Sequence, residues 1–150
     1  MAVETIDGTV QGATVRRSNP KVAIYESVVF TRDDGSEHRL DKVAVAPAVA
    51  AMLQPGVQGR FYAYSAIDHN GVVAARTRDG RSAYAVPSGN ERIFMMAAIV
   101  GVAWSVIRLA TGGVPWLALV LGIGGSVGWF VYRRTRIETR TRYEADSGYA

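Results

Sequence analysis

The residues best suited to chemistry in this sequence are its two histidines and the acidic side chains near the first of them. Imidazole and carboxylate groups together build metal sites and general acid–base pairs. The cluster around the first histidine consists of Asp33, Asp34, Glu37 and His38. Neither His38 nor His69 belongs to a His-x-x-x-His or His-Glu-x-x-His spacing. Because Asp34-Gly35 is also what a tight turn requires, we interpret the cluster as the solvated tip of a β-hairpin.

Signatures of nucleotide chemistry and of thiol chemistry are missing from the sequence. It contains no phosphate-binding loop and no dinucleotide fingerprint, so nucleotide chemistry lacks its usual parts. It also contains no cysteine, which excludes disulfides and thiolate metal sites. We therefore expect a protein that is not an enzyme and that holds no cofactor or metal ion.

Three tyrosines on predicted strands, Tyr25, Tyr62 and Tyr64, are candidates for a partner surface, with Arg60 close by in sequence. Exposed aromatic rings on small barrels serve as stacking platforms for single-stranded nucleic acid, usually beside a positive groove. Residues 1–90, however, hold ten Lys or Arg against nine Asp or Glu. We therefore expect no nucleic acid, and interpret the tyrosines either as a surface for a protein partner or as packing residues.

Residues 1–90 are predicted to form a cytoplasmic β-barrel-like domain of five to six strands with one short helix. Strand patterns cover residues 2–16, 21–32, 36–45, 59–68 and 72–78, with a further candidate at 81–86. Pro47 begins a short helical segment that ends near Leu53. This is the order of an oligonucleotide/oligosaccharide-binding (OB-like) barrel. A generic small barrel or a half-open sandwich is the alternative, because order does not fix topology.

Glycines interrupt the first strand pattern at Gly8 and Gly12. Glycine within a strand marks a bulge or a sharp bend, which the long first strand of a small barrel requires. Alternatively, Asp7-Gly8 is a hairpin turn. We favour the single bent strand.

Residues 91–132 are predicted to form a transmembrane helical hairpin. The apolar runs Ile93–Ala110 and Val114–Tyr132 are each long enough to cross a hydrocarbon core of about 30 Å at about 1.5 Å per residue. Only the three residues 111–113 separate them, so the two spans must be antiparallel. The remaining residues, 133–150, form a basic tail.

The distribution of basic residues predicts the orientation of the hairpin. Four arginines in residues 76–92 precede the first span and five follow the second, whereas Arg108 alone lies near the turn. By the positive-inside rule both termini face the cytoplasm, which we expect to be that of a bacterium with the hairpin in its inner membrane. We interpret Arg108 as a side chain that snorkels to the headgroups rather than as part of an ion path. The predicted membrane-interface anchors are Arg92, Arg108, Trp116, Trp129, Tyr132, Arg133 and Arg134.

Small residues recur at intervals of four in both spans, a pattern that lets helix backbones approach closely. The row in the first span is Ala97, Gly101 and Ser105, the row in the second is Ala118, Gly122 and Ser126, and Gly124 and Gly128 form a further pair. One row in each span is enough for packing within the hairpin. Because Gly122 and Gly124 point in different directions, we expect a second face of the second span to pack against another subunit.

These expectations combine into a non-catalytic integral membrane adaptor or scaffold that presents a cytoplasmic β-domain to a protein partner or to another copy of itself. The architecture is similar in kind to that of NfeD-like membrane proteins, which couple an OB-like barrel to membrane segments beside flotillin-type scaffolds. In that family the barrel follows the spans, whereas here it precedes them. The alternative function is a small oligomeric channel or transport-associated subunit, in which the glycine-rich second span packs or lines a pore.

Overall fold

The computed structural model describes residues 2–65, 69–86 and 89–148. Two compact units divide the chain, one made of residues 1–87 with 137–150 and the other of residues 88–136. We call them the barrel unit and the helical unit. The elements in chain order are β1 (Ala2–Ser18), β2 (Ala23–Arg32), β3 (Glu37–Val45), α1 (Pro47–Ala50), β4 (Gln58–Ser65), β5 (Asn70–Thr77), β6 (Ser82–Tyr84), α2 (Gly89–Ala110) and α3 (Trp116–Ala145).

The strands form one sheet that closes on itself. Its order is β3-β2-β1-β4-β5-β6, and a parallel pairing between β3 and β5, at Val43–Val45 and Asn70–Val72, joins the two sides. The result is a closed five-stranded barrel with β6 added beside β5, and α1 lies between β3 and β4 in sequence. The predicted OB-like order is therefore confirmed, and closure of the barrel removes the half-open sandwich as an alternative.

A single long strand, β1, pairs with strands on both sides of the barrel. Its first half pairs with β4 as far as Thr9, and its second half pairs with β2 from Gly8 to Ser18. The two sides meet at Gly8, where an added Cβ would clash with the carbonyl oxygen of Thr31 and lie 2.8 Å from the Cα of Arg32. Only glycine allows this approach. The predicted bent strand is confirmed, and the alternative hairpin turn at Asp7-Gly8 is wrong.

The barrel core follows from alternation along the strands. Ile6, Val28 and Phe61 are fully buried, and the rings of Phe30 and Phe61 lie 5.0 Å apart. The helix α1 is shorter than its sequence pattern indicates, because it ends at Ala50. The residues that follow it, Met52 and Leu53, are nevertheless buried in the same core. This short segment therefore contributes to the apolar core.

Both long helices have the length and apolar composition needed to cross a membrane. The first predicted span, Ile93–Ala110, lies within α2, and the second begins two residues before α3. Helix α3 does not end with its apolar part, but continues through the predicted tail to Ala145. Two ion pairs four residues apart support this polar extension, Arg140 with Glu144 and Arg142 with Glu138, each at 2.7 Å.

The close approach at Gly8 gives a prediction for stability. We expect Gly8→Ala to destabilise the barrel by about 1–3 kcal/mol, because the new methyl group meets backbone atoms that cannot rotate away. Gly12→Ala, in the same strand, is the matched control, since an added Cβ there meets nothing within 4 Å. The midpoint of thermal unfolding, followed by circular dichroism, measures both. Equal midpoints for the two variants would contradict the bend at Gly8.

Candidate functional site

The helical unit is held together by contact between backbones. An added Cβ at Gly101 would clash with the amide nitrogen of Gly122 and lie 2.9 Å from the carbonyl oxygen of Ala118. One turn further along α3, an added Cβ at Gly125 would lie 2.9 Å from the carbonyl carbon of Ala97. Such approaches allow two helices to pack without large side chains between them. The predicted small-residue rows thus meet each other within the hairpin.

Gly125 was not among the predicted packing residues, although it lies seven residues after Ala118 and so returns to nearly the same face of the helix. That spacing of seven, rather than four, was the signal available in the sequence. Intervals of four drift around the helix, whereas a combination of three and four follows one face.

The hydroxyl groups of the two predicted serines are satisfied within their own helices. Ser105 Oγ donates to the carbonyl oxygen of Gly101 and Ser126 Oγ donates to that of Gly122, each at 2.8 Å. Residues 124–128 match the Gly-x-Ser-x-Gly spacing of hydrolase nucleophiles, so an expectation that this motif is absent from the chain would be wrong. That motif requires a sharp turn between a strand and a helix. Here Ser126 lies inside α3, so the match lacks that turn.

The predicted pair of Gly124 and Gly128 does not form one open face. An added Cβ at Gly124 meets nothing within 4 Å, but one at Gly128 would lie 2.7 Å from the ring of Phe94 in the same hairpin. Gly128 is thus covered by an aromatic side chain that the spacing rule did not take into account. Of the two glycines, only Gly124 lies on an uncovered face.

The outer surface of the helical unit is apolar. Leu117 is 85% exposed, Val120 68% and Ile107 55%, and no charged residue occurs between Pro115 and Tyr132. Exposed apolar surface of this extent on a protein indicates contact with lipid or with another protein.

The predicted membrane-interface anchors lie toward the ends of α2 and of the apolar part of α3. Trp116 is 73% exposed, and the guanidinium of Arg133 lies 5.0 Å from the centre of the Trp129 ring, a cation–π distance. Arg108 is exposed and its guanidinium lies over Gly113 in the turn. Arg92 and Arg134 are also exposed, whereas Tyr132 stacks on Phe94 at 5.5 Å. Their role as anchors stays a prediction.

The three barrel tyrosines are buried, so they are not an open partner surface. Tyr25 is 6% exposed and belongs to the barrel core, while Tyr62 and Tyr64 are 0% and 7% exposed. Alternation along β4 directs Phe61 into the core and Tyr62 to the other side of the sheet. Another part of the chain covers that side, which strand alternation alone does not indicate.

The cover is the C-terminal end of α3 and the turn after it. The hydroxyl of Tyr62 donates to Asp146 Oδ2 at 2.7 Å, and Arg60 Nη1 lies 3.1 Å from Asp146 Oδ1. Tyr143 makes an edge contact with the Tyr62 ring at 5.6 Å and lies beneath the guanidinium of Arg76 at 4.1 Å. We call these five residues the C-terminal clasp.

Electrostatics fix the charge states within the clasp. The hydrogen bond from Tyr62, together with the Arg60 cation, holds the pKa of the Asp146 carboxyl below its usual value. Burial, together with the bond to Asp146, raises the pKa of the Tyr62 hydroxyl well above its usual value. Asp146 is therefore ionised and Tyr62 protonated near neutral pH. The clasp at that pH is a charge-assisted hydrogen bond and an ion pair around one carboxylate.

The acidic cluster near His38 forms a turn, as the sequence predicts. Asp34 Oδ1 accepts hydrogen bonds from the Ser36 amide at 2.8 Å and from its hydroxyl at 2.6 Å, and these bonds lower the pKa of Asp34. The Nδ1 of His38 lies 3.1 Å from Arg32 Nη2, and its Nε2 lies 3.4 Å from Glu4 Oε2. Within residues 2–65, 69–86 and 89–148, no group of three or more His, Asp or Glu side chains is placed to hold a metal ion.

Comparison with known proteins adds no relative: no protein-family model, curated protein or solved structure matches this chain.

The contact between Gly101 and Gly122 predicts which glycine the helical unit requires. We expect Gly101→Leu to lower the temperature at which the protein aggregates in detergent, because the side chain would separate the two backbones. Gly124→Leu makes the same change on an uncovered face and should leave that temperature nearly unchanged. Heating followed by size-exclusion chromatography measures both. A larger loss for Gly124→Leu would show that the helices pack through other faces.

The clasp predicts a stability difference that depends on pH. Asp146→Ala should cost about 1–2 kcal/mol at pH 7, because the Tyr62 hydroxyl and Arg60 lose a charged acceptor. A carboxyl whose pKa is lowered by folding contributes stability above its unfolded pKa of about 3.9, and this is lost as pH falls through the folded pKa. The two proteins should therefore converge in stability at acidic pH, once the Asp146 carboxyl is protonated in the folded protein as well.

Glu144→Ala is the control for this variant, since the pair of Glu144 with Arg140 is exposed to solvent and contributes little to stability. Urea unfolding at several pH values measures the difference. A penalty for Asp146→Ala that persists unchanged at low pH would exclude the ionised carboxylate as its source.

Proposed function

We propose that this protein is a non-catalytic integral membrane adaptor or scaffold. In this proposal α2 and the apolar part of α3 anchor the chain in the bilayer, and the barrel unit meets a protein partner or another copy of the chain. The observation that carries the proposal is the apolar outer surface of the helical unit. In water such a surface would drive aggregation.

The backbone of the helical unit suits a lipid environment. In the hydrocarbon core every amide and carbonyl must be paired within the protein, which helices achieve along their length. The residues between α2 and α3, 111–115, are where unpaired groups are expected. There the amides of Thr111, Gly112 and Gly113 donate to carbonyls of the preceding turn of α2, at 2.8–3.1 Å. The turn therefore adds few unpaired groups near the membrane surface.

The proposed orientation places both termini in the cytoplasm of a bacterial cell, with the hairpin in the inner membrane. Its support is the excess of arginine before α2 and after the apolar part of α3. Aromatic and basic side chains of the kind that anchor helices at the membrane interface lie at both ends of the apolar part of α3. They are the exposed Trp116 near the turn, and Trp129 with Arg133 near the other end of that part.

The proposed adaptor role is supported by the side chains of the barrel. Its two sets of buried aromatic side chains serve packing, and several of its acidic side chains form ion pairs, such as Asp7 with Arg60 and Asp33 with Arg78. A small closed barrel with a surface of mixed charge, fixed to a membrane, is suited to binding rather than to chemistry.

The test is to purify the full chain from its native membrane in mild detergent, and to measure the mass and composition of the particle. We expect a second protein in fixed stoichiometry or a closed homo-oligomer. The control is the same preparation after a high-salt wash, which removes proteins held by weak surface charge. A monomer without companions at native expression levels would contradict the adaptor role, and current across a reconstituted bilayer would favour a channel instead.

A further inference from the structure

Strand β1 has one edge that is not paired over its second half. Pairing with β4 ends at Thr9, and Val10 makes the last backbone hydrogen bonds on that side, at 2.8 and 2.9 Å. From Gln11 to Ser18, β1 pairs with β2 alone among the strands of the described chain. The amides and carbonyls directed away from β2 are therefore available to a further strand. We call residues 11–18 the free edge.

The free edge and the turn after it carry a local positive charge. Arg16, Arg17 and Lys21 are exposed, and no acidic residue occurs between Asp7 and Glu26. None of the three cations has an ion pair with any residue that the structure describes. Val15, which lies beside them, is a large apolar side chain that is 54% exposed.

The charge argues against pairing between two copies of this edge. Two free edges side by side would bring four arginines together, which strongly disfavours association. The register of β1 also shifts at Thr14–Val15 and at Val15–Arg17, and such bulges twist an edge away from a flat partner. An occupant must therefore be adaptable and of opposite charge.

The barrel surface also disfavours nucleic acid as the occupant. Single-strand recognition needs exposed aromatic rings for base stacking. Tyr25, Tyr62 and Tyr64 are buried, so they offer no such platform. A row of main-chain donors and acceptors at strand spacing complements another peptide backbone instead.

We propose that the free edge binds an extended acidic peptide segment of a partner protein by β-strand addition. The main chain of the segment pairs with residues 11–18, its carboxylates face Arg16, Arg17 and Lys21, and an apolar side chain packs on Val15. This inference rests on the proposed adaptor function and deepens it, because it names the docking element of the barrel and the chemistry of the partner.

The experiment uses the full chain in nanodiscs and a fluorescent nine-residue peptide that alternates glutamate and valine. A second peptide of the same sequence carries N-methyl groups on alternate residues, so that it keeps the charge but loses main-chain donors. We expect the first peptide to bind at least tenfold more tightly than the second in fluorescence anisotropy. Hydrogen exchange should slow at amides within residues 11–18 when the first peptide is bound.

Two double variants of the protein distinguish the effect of positive charge at the free edge from the effect of the overall charge of the barrel. Arg16→Glu combined with Arg17→Glu should reduce peptide affinity at least tenfold. Arg39→Glu combined with Arg78→Glu makes the same charge change at side chains that are 58% and 52% exposed elsewhere on the barrel, and should change affinity less than threefold. Thermal unfolding of each variant checks that the barrel stays folded.

Several outcomes would overturn the proposal. Equal binding of the N-methylated peptide would mean that charge alone attracts the segment. Tighter binding of a nine-nucleotide single strand would assign the edge to nucleic acid, and exchange protection in anionic nanodiscs without peptide would assign it to lipid. Failure to bind either peptide would also overturn it. Resistance of the wild-type chain to alkaline extraction from membranes tests the proposed anchor separately.

Discussion

The structure depends on the apolar surface that α2 and α3 turn outward. The two helices approach at Gly101 and Gly122 so closely that only backbone and small side chains lie between them. Their larger side chains must therefore point away from the contact, and Leu117 and Val120 do so. Water is a poor solvent for this surface, whereas lipid is a good one. The close approach of α2 and α3 therefore accounts both for the small residues between the helices and for the large apolar residues on their outer surface.

The barrel unit is stabilised differently. Its core is built from fewer than ninety residues at the N-terminal end and a short C-terminal segment. Closure of the sheet by β3 and β5 pairs backbone groups that an open sheet would expose. The C-terminal clasp covers the aromatic side of β4, which closure alone leaves open. The ionised Asp146 and the cation of Arg60 make this cover specific, because an apolar cover would leave Arg60 without its partner there.

Much of the fold could be predicted because it is encoded locally. Turn dipeptides such as Asp34-Gly35, the glycine at the bend of β1 and the apolar runs of the helices each act within a few residues. The clasp could not be predicted in this way, because Tyr62 and Asp146 lie far apart in sequence and their bond depends on how α3 ends. For the same reason Tyr62 was a candidate for an exposed partner surface, although Tyr143 of α3 and Asp146 of the turn after it lie against its side chain. The predicted packing face of Gly124 and Gly128 was only partly correct for a similar reason. Spacing along one helix does not reveal that Phe94 of the other helix lies over Gly128.

The most direct test of the membrane account is cysteine accessibility, which is possible because the chain contains no cysteine. Single cysteines would replace Ser36 in the barrel, Thr111 in the turn and Val120 within α3, all exposed in the protein itself. With a membrane-impermeant maleimide, we predict that Thr111→Cys reacts in intact cells, Ser36→Cys reacts only after lysis, and Val120→Cys reacts only in denaturant. Rapid reaction of Val120→Cys in native membranes would contradict the account, because it would mean that water rather than lipid covers the helical unit.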